Sequence, residues 1–229
     1  MALLLNLDTA TEVASICISV SGISKAFRQN EHQKEHGSFV HGAIQELIYE
    51  VGCDLADIDA FSVTSGPGSY TGLRVGMSTV KGLCYAFSKP LITVNTLEVM
   101  AKAAIDTLVS KNEKPLICPM IDARRMEVFT ALYDTDIKSV VQPQCLVLNE
   151  TVFEDFLTKE KIIFLGSGSF KFKTLMSSPN AHFESIISDA RNLAILAESD
   201  FNEKRFADVT YSQPNYFKEF YNTSKNQNE

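Results

Sequence analysis

Apolar residues in the first half of the chain fall into two patterns: short unbroken runs, and stripes at helical spacing. LLLNL (3–7) and VASICISV (13–20) are apolar at both odd and even positions, as strands buried on both faces are. With residues 24–31 they form an antiparallel meander. The next segment changes period. Val40, Ile44, Leu47, Ile48 and Val51 share one face of a helix over 38–51, and Gly52 stands where it stops. IDAFSVT (58–64) is a fourth strand, and a glycine-rich loop leads from it into a helix ending near Phe87, before Pro90 and the strand LITV. A helix over 96–110 follows.

The pattern then starts again. LICPMI (116–121) is a strand closing on Asp122, as LLLNL closes on Asp8. Strands over 126–133 and 140–148 and a helix near 150–159 precede KIIFLGSGSF (161–170), which repeats the strand-then-glycine layout of SVTSGPGSY. A duplicated βββαβα unit predicts two related α/β lobes facing each other across a cleft. The expected division is 1–95 for the first lobe and 96–229 for the second. The last segment is free to return to the first lobe, and 222–229 is a polar tail.

Composition narrows the class. With 229 residues, 45% hydrophobic and 21% charged, the chain can bury a large core. A net charge of -7 argues against a chain that grips nucleic acid through a broad basic face. Cys17, Cys53, Cys84, Cys118 and Cys145 are odd in number, widely spaced and set in apolar runs, which reads as reduced thiols of a cytoplasmic protein. The opening MALLLNLD is too short and lacks the basic residues of a signal peptide, and no run approaches membrane-span length, so no membrane role is expected.

Candidate chemistry centres on SGPGSYTGLRVG (65–76). Gly66, Gly68 and Gly72 are spaced one residue off the dinucleotide fingerprint, and no lysine follows to reach a phosphate. The loop either presents free amides to an anion or makes a tight turn in which Ser69 or Thr71 caps the helix. Asp8 and Asp122 could orient a magnesium-bound water, or could accept amide bonds within their own turns. His32, His36, His41 and His182 form no recognisable metal motif. The helix LRVGMSTVKGLCYAF (73–87) is apolar on nearly every side, with Gly76, Ser78 and Gly82 between, so its second side calls for a cover: the other lobe, a neighbouring helix or a partner protein.

LNLDTAT (5–11), His36, SGPGSYTGLRVG (65–76), KGLCYAF (81–87), VNTLEVMA (94–101) and IDARRMEVFTAL (121–132) together resemble the bacterial TsaB (YeaZ) family of tRNA threonylcarbamoyladenosine biosynthesis proteins, a Gcp-like, glycoprotease-like group. GSGS (166–169) fits, and QPNYFKEF (213–220) matches the family's ending loosely, with Lys218 where an arginine is usual. The resemblance implies a two-lobed actin-like ATPase fold (ASKHA, ribonuclease H-like). It also implies a non-catalytic subunit that pairs with the transferase TsaD, is joined by the ATPase TsaE, meets tRNA through that complex, and self-associates as a homodimer when isolated. No cofactor is required; ATP or ADP at the partner interface is compatible with it. On this reading Val40, Ile44, Leu47, Met77, Val80 and Tyr85 are candidate partner contacts. Asp8, Gly66, Gly68, Ser69, Gly72, Arg74, Gly166 and Gly168 belong to phosphate-type loops that have lost their chemistry. Two enzyme readings compete: a self-sufficient nucleotide-binding ATPase or kinase, favoured by Asp8 and GSGS, and a peptidase, which needs a metal-binding histidine pair.

Overall fold

The computed structural model describes residues 1–32, 36–110 and 113–217. Lys218 and the polar tail at 222–229 lie outside the described residues.

The first lobe holds β1 (Leu3–Asp8), β2 (Ala14–Val20), β3 (Ile23–Asn30), α1 (His36–Val51), β4 (Ala60–Thr64), α2 (Tyr70–Phe87) and β5 (Leu91–Val94). After α3 (Thr96–Leu108) come β6 (Leu116–Asp122), β7 (Glu127–Tyr133), β8 (Ser139–Val147), α4 (Glu154–Leu157), β9 (Ile162–Leu165), α5 (Ser169–Lys173), β10 (Ala181–Glu184) and α6 (Ala190–Asn202). The sheets are ordered β3-β2-β1-β4-β5 and β10-β9-β6-β7-β8, the same order read from opposite ends. In each, the first strand runs antiparallel to the second and parallel to the fourth. This is a duplicated, two-lobed α/β fold. The repeat runs one strand and one helix further than expected, through β5–α3 and β10–α6.

Alternation along the strands sets the layers. Leu5 and Leu7 point to one side of the first sheet, where they meet Val40, Ile44, Leu47, Met77 and Val80 of α1 and α2. Leu4, Ile92 and Val94 point to the other, against Val99 of α3 and Leu193 and Ala197 of α6. A second stripe of α3, Leu97, Met100, Ala101 and Ala104, packs on Ile117, Tyr133 and Leu165 of the second sheet. Helix α3 is thus shared between the sheets. On the far side of the second sheet, Phe164 of β9 is covered by Phe172 of α5 and Leu157 of α4, with Phe153 edge-on to Phe172.

After α6 the chain crosses the first lobe. The Ala207 amide donates to the Leu91 carbonyl at 2.8 Å, and the Lys81 ammonium donates to the Thr210 and Ser212 carbonyls at 3.1 and 2.9 Å. All five cysteines carry free thiols, and burial pushes those of Cys17, Cys84 and Cys118 up to about 12. No described helix is long and apolar enough to cross a membrane.

Candidate functional site

Two surfaces gather the residues singled out by the sequence. The first is an interlobe cleft of about 900 Å³, lined by residues 10–13 and 67–71 of the first lobe, 121–125 and 166–167 of the second, and 215–217 of the returning chain.

At its floor the start of α2 is pressed against the loop after β1. A Cβ on Gly68 would lie 2.2 Å from the Ala10 carbonyl oxygen, one on Gly72 2.1 Å from that of Thr9, and one on Gly76 2.4 Å from Thr9 Oγ1. Real Cβ atoms do not come this close, so these positions admit only glycine. The amides are engaged inside the chain as well. Ser69 N donates to Ala10 O at 2.7 Å, Gly72 N donates to Ser69 Oγ at 3.3 Å, and Thr9 Oγ1 donates to Gly72 O at 2.7 Å. The second lobe repeats the device, with Gly168 N donating to Met120 O at 2.9 Å and Ser169 N to Gly166 O at 3.1 Å. Gly166 has φ +89, and a Cβ there would sit 2.5 Å from the Met120 carbonyl. These glycines therefore serve helix–loop packing, and Ser69 caps α2.

The two aspartates diverge. Asp8 is 1% exposed; its Oδ1 accepts from Ala10 N at 3.0 Å and Thr64 Oγ1 at 2.9 Å, while Oδ2 has no partner among the described residues. Burial without a cation raises its pKa to about 6. Asp122 stands at the cleft edge, exposed. Desolvation opposes its charge, but Lys171 Nζ and the Arg124 amide, each at 2.6 Å, outweigh it and hold the carboxyl below its usual value.

The returning chain was not anticipated as part of this site. Asn215 N donates to Ser65 O at 2.7 Å, and a Cβ on Gly66 (φ +106) would lie 2.8 Å from Asn215 O. Tyr216 packs on Tyr70 at 5.4 Å between centroids, and Phe217 reaches Phe129 of the other lobe at 6.4 Å. Arg74 does not point at the glycine loop: it lies over the Tyr70 ring at 3.9 Å and its Nε donates to Tyr216 OH at 3.2 Å.

The second surface is the outer face of α1 and α2, and it corrects an expectation. Val40, Leu47, Met77 and Val80 are at most 3% exposed and sit within the first lobe's own core, whereas Ile44, 5% exposed, also borders the groove between α1 and α2. The apolar second side of α2 consists of Val75, Leu83 and Phe87, which close on that same core. Tyr85 alone of the six faces out, 84% exposed. Around it the outer stripe is built from His41, Gln45 and Tyr49 on α1 and Ser78 and Gly82 on α2. A groove of about 360 Å³ runs between the helices, bordered by His41, Ile44, Gln45, Leu55, Thr79, Gly82 and Leu83. Added Cβ atoms on Gly42 and Gly82 would meet nothing within 4 Å. His41 lies in this groove and His182 on β10, in different lobes.

Comparison with known proteins places these features. A family model described as "TsaD: tRNA N6-adenosine threonylcarbamoyltransferase" matches residues 28–225. The tRNA threonylcarbamoyladenosine biosynthesis protein TsaB of Bacillus subtilis is 30% identical over 195 residues, 81% of each chain. The chain belongs to the TsaB (YeaZ) family. The Escherichia coli and Haemophilus influenzae TsaB proteins are 35% and 34% identical, over 58% and 55% of this chain; the matches span about half of those relatives, 55% and 51% of their lengths. The structure of YeaZ from Pseudomonas aeruginosa superposes with a TM-score of 0.80, covering 94% of this chain and 100% of that one at 22% identity, which establishes the shared fold. In this TsaB-family chain the glycines of both loops are therefore spent on packing, and the helix face beyond them is left open.

Proposed function

We propose that this chain is an accessory, non-catalytic subunit of the machinery that makes threonylcarbamoyladenosine in tRNA, and that it works by docking the transferase TsaD on the outer face of α1 and α2. The observation that carries the reading is the pair Gly42 and Gly82. Glycine inside a helix costs about 1 kcal/mol relative to alanine. Nothing in the chain itself occupies the space that their missing side chains leave. A partner helix laid along the groove would use that space for close backbone approach, and the exposed Tyr49 and Tyr85 are suitable anchors at its ends. A stable pair would bury roughly 800 Å² on each side.

The cleft supports the same division of labour. The Ser69, Gly72, Gly168 and Ser169 amides donate within the chain, and Asp8, at the position of a catalytic carboxylate, has no cation beside it among the described residues. The reading therefore assigns the reacting groups to TsaD. The name of the family model and of the TsaB relatives supports the pathway. A homodimer of the isolated chain through the same face, displaced by TsaD, and a place for TsaE in the larger assembly follow from it.

The test is calorimetric titration with TsaD together with a tRNA modification assay. Gly82→Trp fills the groove from its rim and replaces no core side chain. It should weaken pairing at least tenfold and reduce modification in parallel while the thermal midpoint is kept. Turnover of magnesium-ATP by the isolated chain would instead support an enzyme of the same fold.

A further inference from the structure

The positive charge of this acidic chain is unevenly placed. Of its arginines, Arg28 holds Glu46 and Glu50, Arg191 holds Asp189, and Arg205 holds Asp200. The other three surround the cleft. Arg124 and Arg125 line it from the second lobe, and Arg74 stands on the opposite rim beside Tyr70 and Tyr216. Among the described residues of the lining, Glu12 and Asp122 are the acidic ones, and Asp122 is held by Lys171 at 2.6 Å. On a chain of net charge -7 this mouth is locally cationic.

Arg124 and Arg125 sit there against the preference of the backbone. They form the tip of the β6–β7 hairpin, closed by Ala123 N donating to Glu127 O at 3.1 Å and Glu127 N to Arg124 O at 3.2 Å. Both have positive φ, +67 and +53. Successive left-handed residues at such a tip favour asparagine and glycine, and long side chains are disfavoured. The turn alone gives no reason for two arginines; their guanidinium groups, aimed into the cleft, do. Between the two rims stand four rings: Tyr70, Phe129, Tyr216 and Phe217.

Guanidinium groups bind phosphates, and exposed rings stack unpaired bases; together they form a platform for single-stranded RNA. The Ser69 and Gly168 amides at the floor already donate to Ala10 and Met120, whereas the cations stand exposed at the mouth, which favours a ligand that lies across the mouth. We propose that the mouth of the interlobe cleft is a contact for single-stranded RNA, with backbone phosphates on Arg124, Arg125 and Arg74 and a base against the aromatic rings. The proposal deepens the preceding reading and rests on it for the presence of RNA in the assembly.

The experiment measures fluorescence anisotropy of a labelled anticodon stem–loop RNA with the full chain bound to TsaD, across a salt series. The variant is Arg124→Gly/Arg125→Gly, which removes both charges and relieves both left-handed positions. It should raise Kd at least tenfold and lower the slope of log Kd against log salt by about 1.4, the value for two single-strand phosphate contacts. Its thermal midpoint should hold or rise, and its calorimetric affinity for TsaD should be unchanged. Lys138→Ala/Lys159→Ala, which removes the same charge elsewhere on the second lobe, should leave RNA binding as it was. Unchanged Kd and salt slope in the arginine variant, equal weakening by the lysine pair, or full displacement of the RNA by ATP at its own Kd would each overturn the proposal. If the unaltered chain fails to pair with TsaD, the partner reading fails; titrating the same RNA into the chain alone at low salt then decides the cleft contact by the same criteria.

Discussion

Gly72 and Gly82 lie on the same helix, and a methyl group added to each would meet opposite surroundings. At Gly72 it would strike the Thr9 carbonyl oxygen at 2.1 Å; at Gly82 it would find nothing within 4 Å. The first glycine is required by the chain's own packing, since it lets the β1–β2 loop lie on the start of α2. The second weakens the helix with no return inside the chain. The contrast separates what the loop motif does for folding from what the outer face offers to another protein. It also gives the glycines of a motif shaped like a phosphate site a role in the turn that does not depend on a phosphate.

The largest effect tests the crowded end. Gly72→Ala sets a Cβ 2.1 Å from the Thr9 carbonyl oxygen, a backbone atom that cannot swing away, and 3.3 Å from the Ser69 side chain that caps the helix. Overpacking of this kind, with a displaced helix start, should cost about 3 kcal/mol or more, read as a fall in the chemical-denaturation midpoint or as loss of soluble protein. Near-normal stability would show that the loop can move off the helix, and would remove the packing explanation for the motif.

This end of the molecule was largely legible in the sequence, and the other end was not. LLLNL and IDAFSVT announced strands, which the structure places side by side as β1 and β4 with both faces buried, and the repeated strand–glycine layout announced the second lobe. The face of α2 was misassigned because periodicity reports which side chains are apolar, not what covers them. Val80 and Met77 look like an interface until β1 and β4 are seen beneath them. Helix α6 was missed because ARNLAILAESDFN buries only small residues and leucine along one stripe. Its signal was the N-cap pair Asp189 and Asn192, each bonding the other's backbone. The return of the last segment to the first lobe was allowed for, but its place in the cleft lining had no local signal, since Gly66 is glycine for the sake of Asn215, far along the chain.

An intermediate effect probes the charge buried beside the crowded loop. Asp8 binds its proton more tightly in the folded chain, with a pKa of about 6 against 3.8 unfolded. Its stabilising contribution is therefore complete below pH 3.8, declines as pH rises to about 6, and stays lost above. Asp8→Asn keeps an acceptor for Ala10 N and Thr64 and removes the uncompensated charge. It should raise stability at pH 7.5 by about 1–2 kcal/mol, less than the full electrostatic gain because the new amide also lacks a partner. The variant should lose the decline between pH 4 and 6. A variant that is less stable at pH 7.5 would mean that the carboxylate has a cation or donor in solution, and the floor of the cleft would again be a candidate site for metal or nucleotide.

The smallest effect is the sharpest test of the comparison, because it asks one substitution to move two quantities in opposite directions. Gly82→Ala adds a methyl group to open space and removes the flexibility of a helix-interior glycine, so the isolated chain should gain about 1 kcal/mol and a thermal midpoint higher by roughly 2–4 °C. If Gly82 is kept for close approach by a partner backbone, that methyl group stands in the way and the affinity for TsaD falls even as the chain becomes more stable. Gly42→Ala, on α1, should behave alike. A gain in stability with unchanged affinity would leave both glycines without a role at the interface, and docking would then rest on Tyr49 and Tyr85 alone. A loss in both would mean that the helix itself needs the glycine, and Gly82 would belong with Gly72 after all.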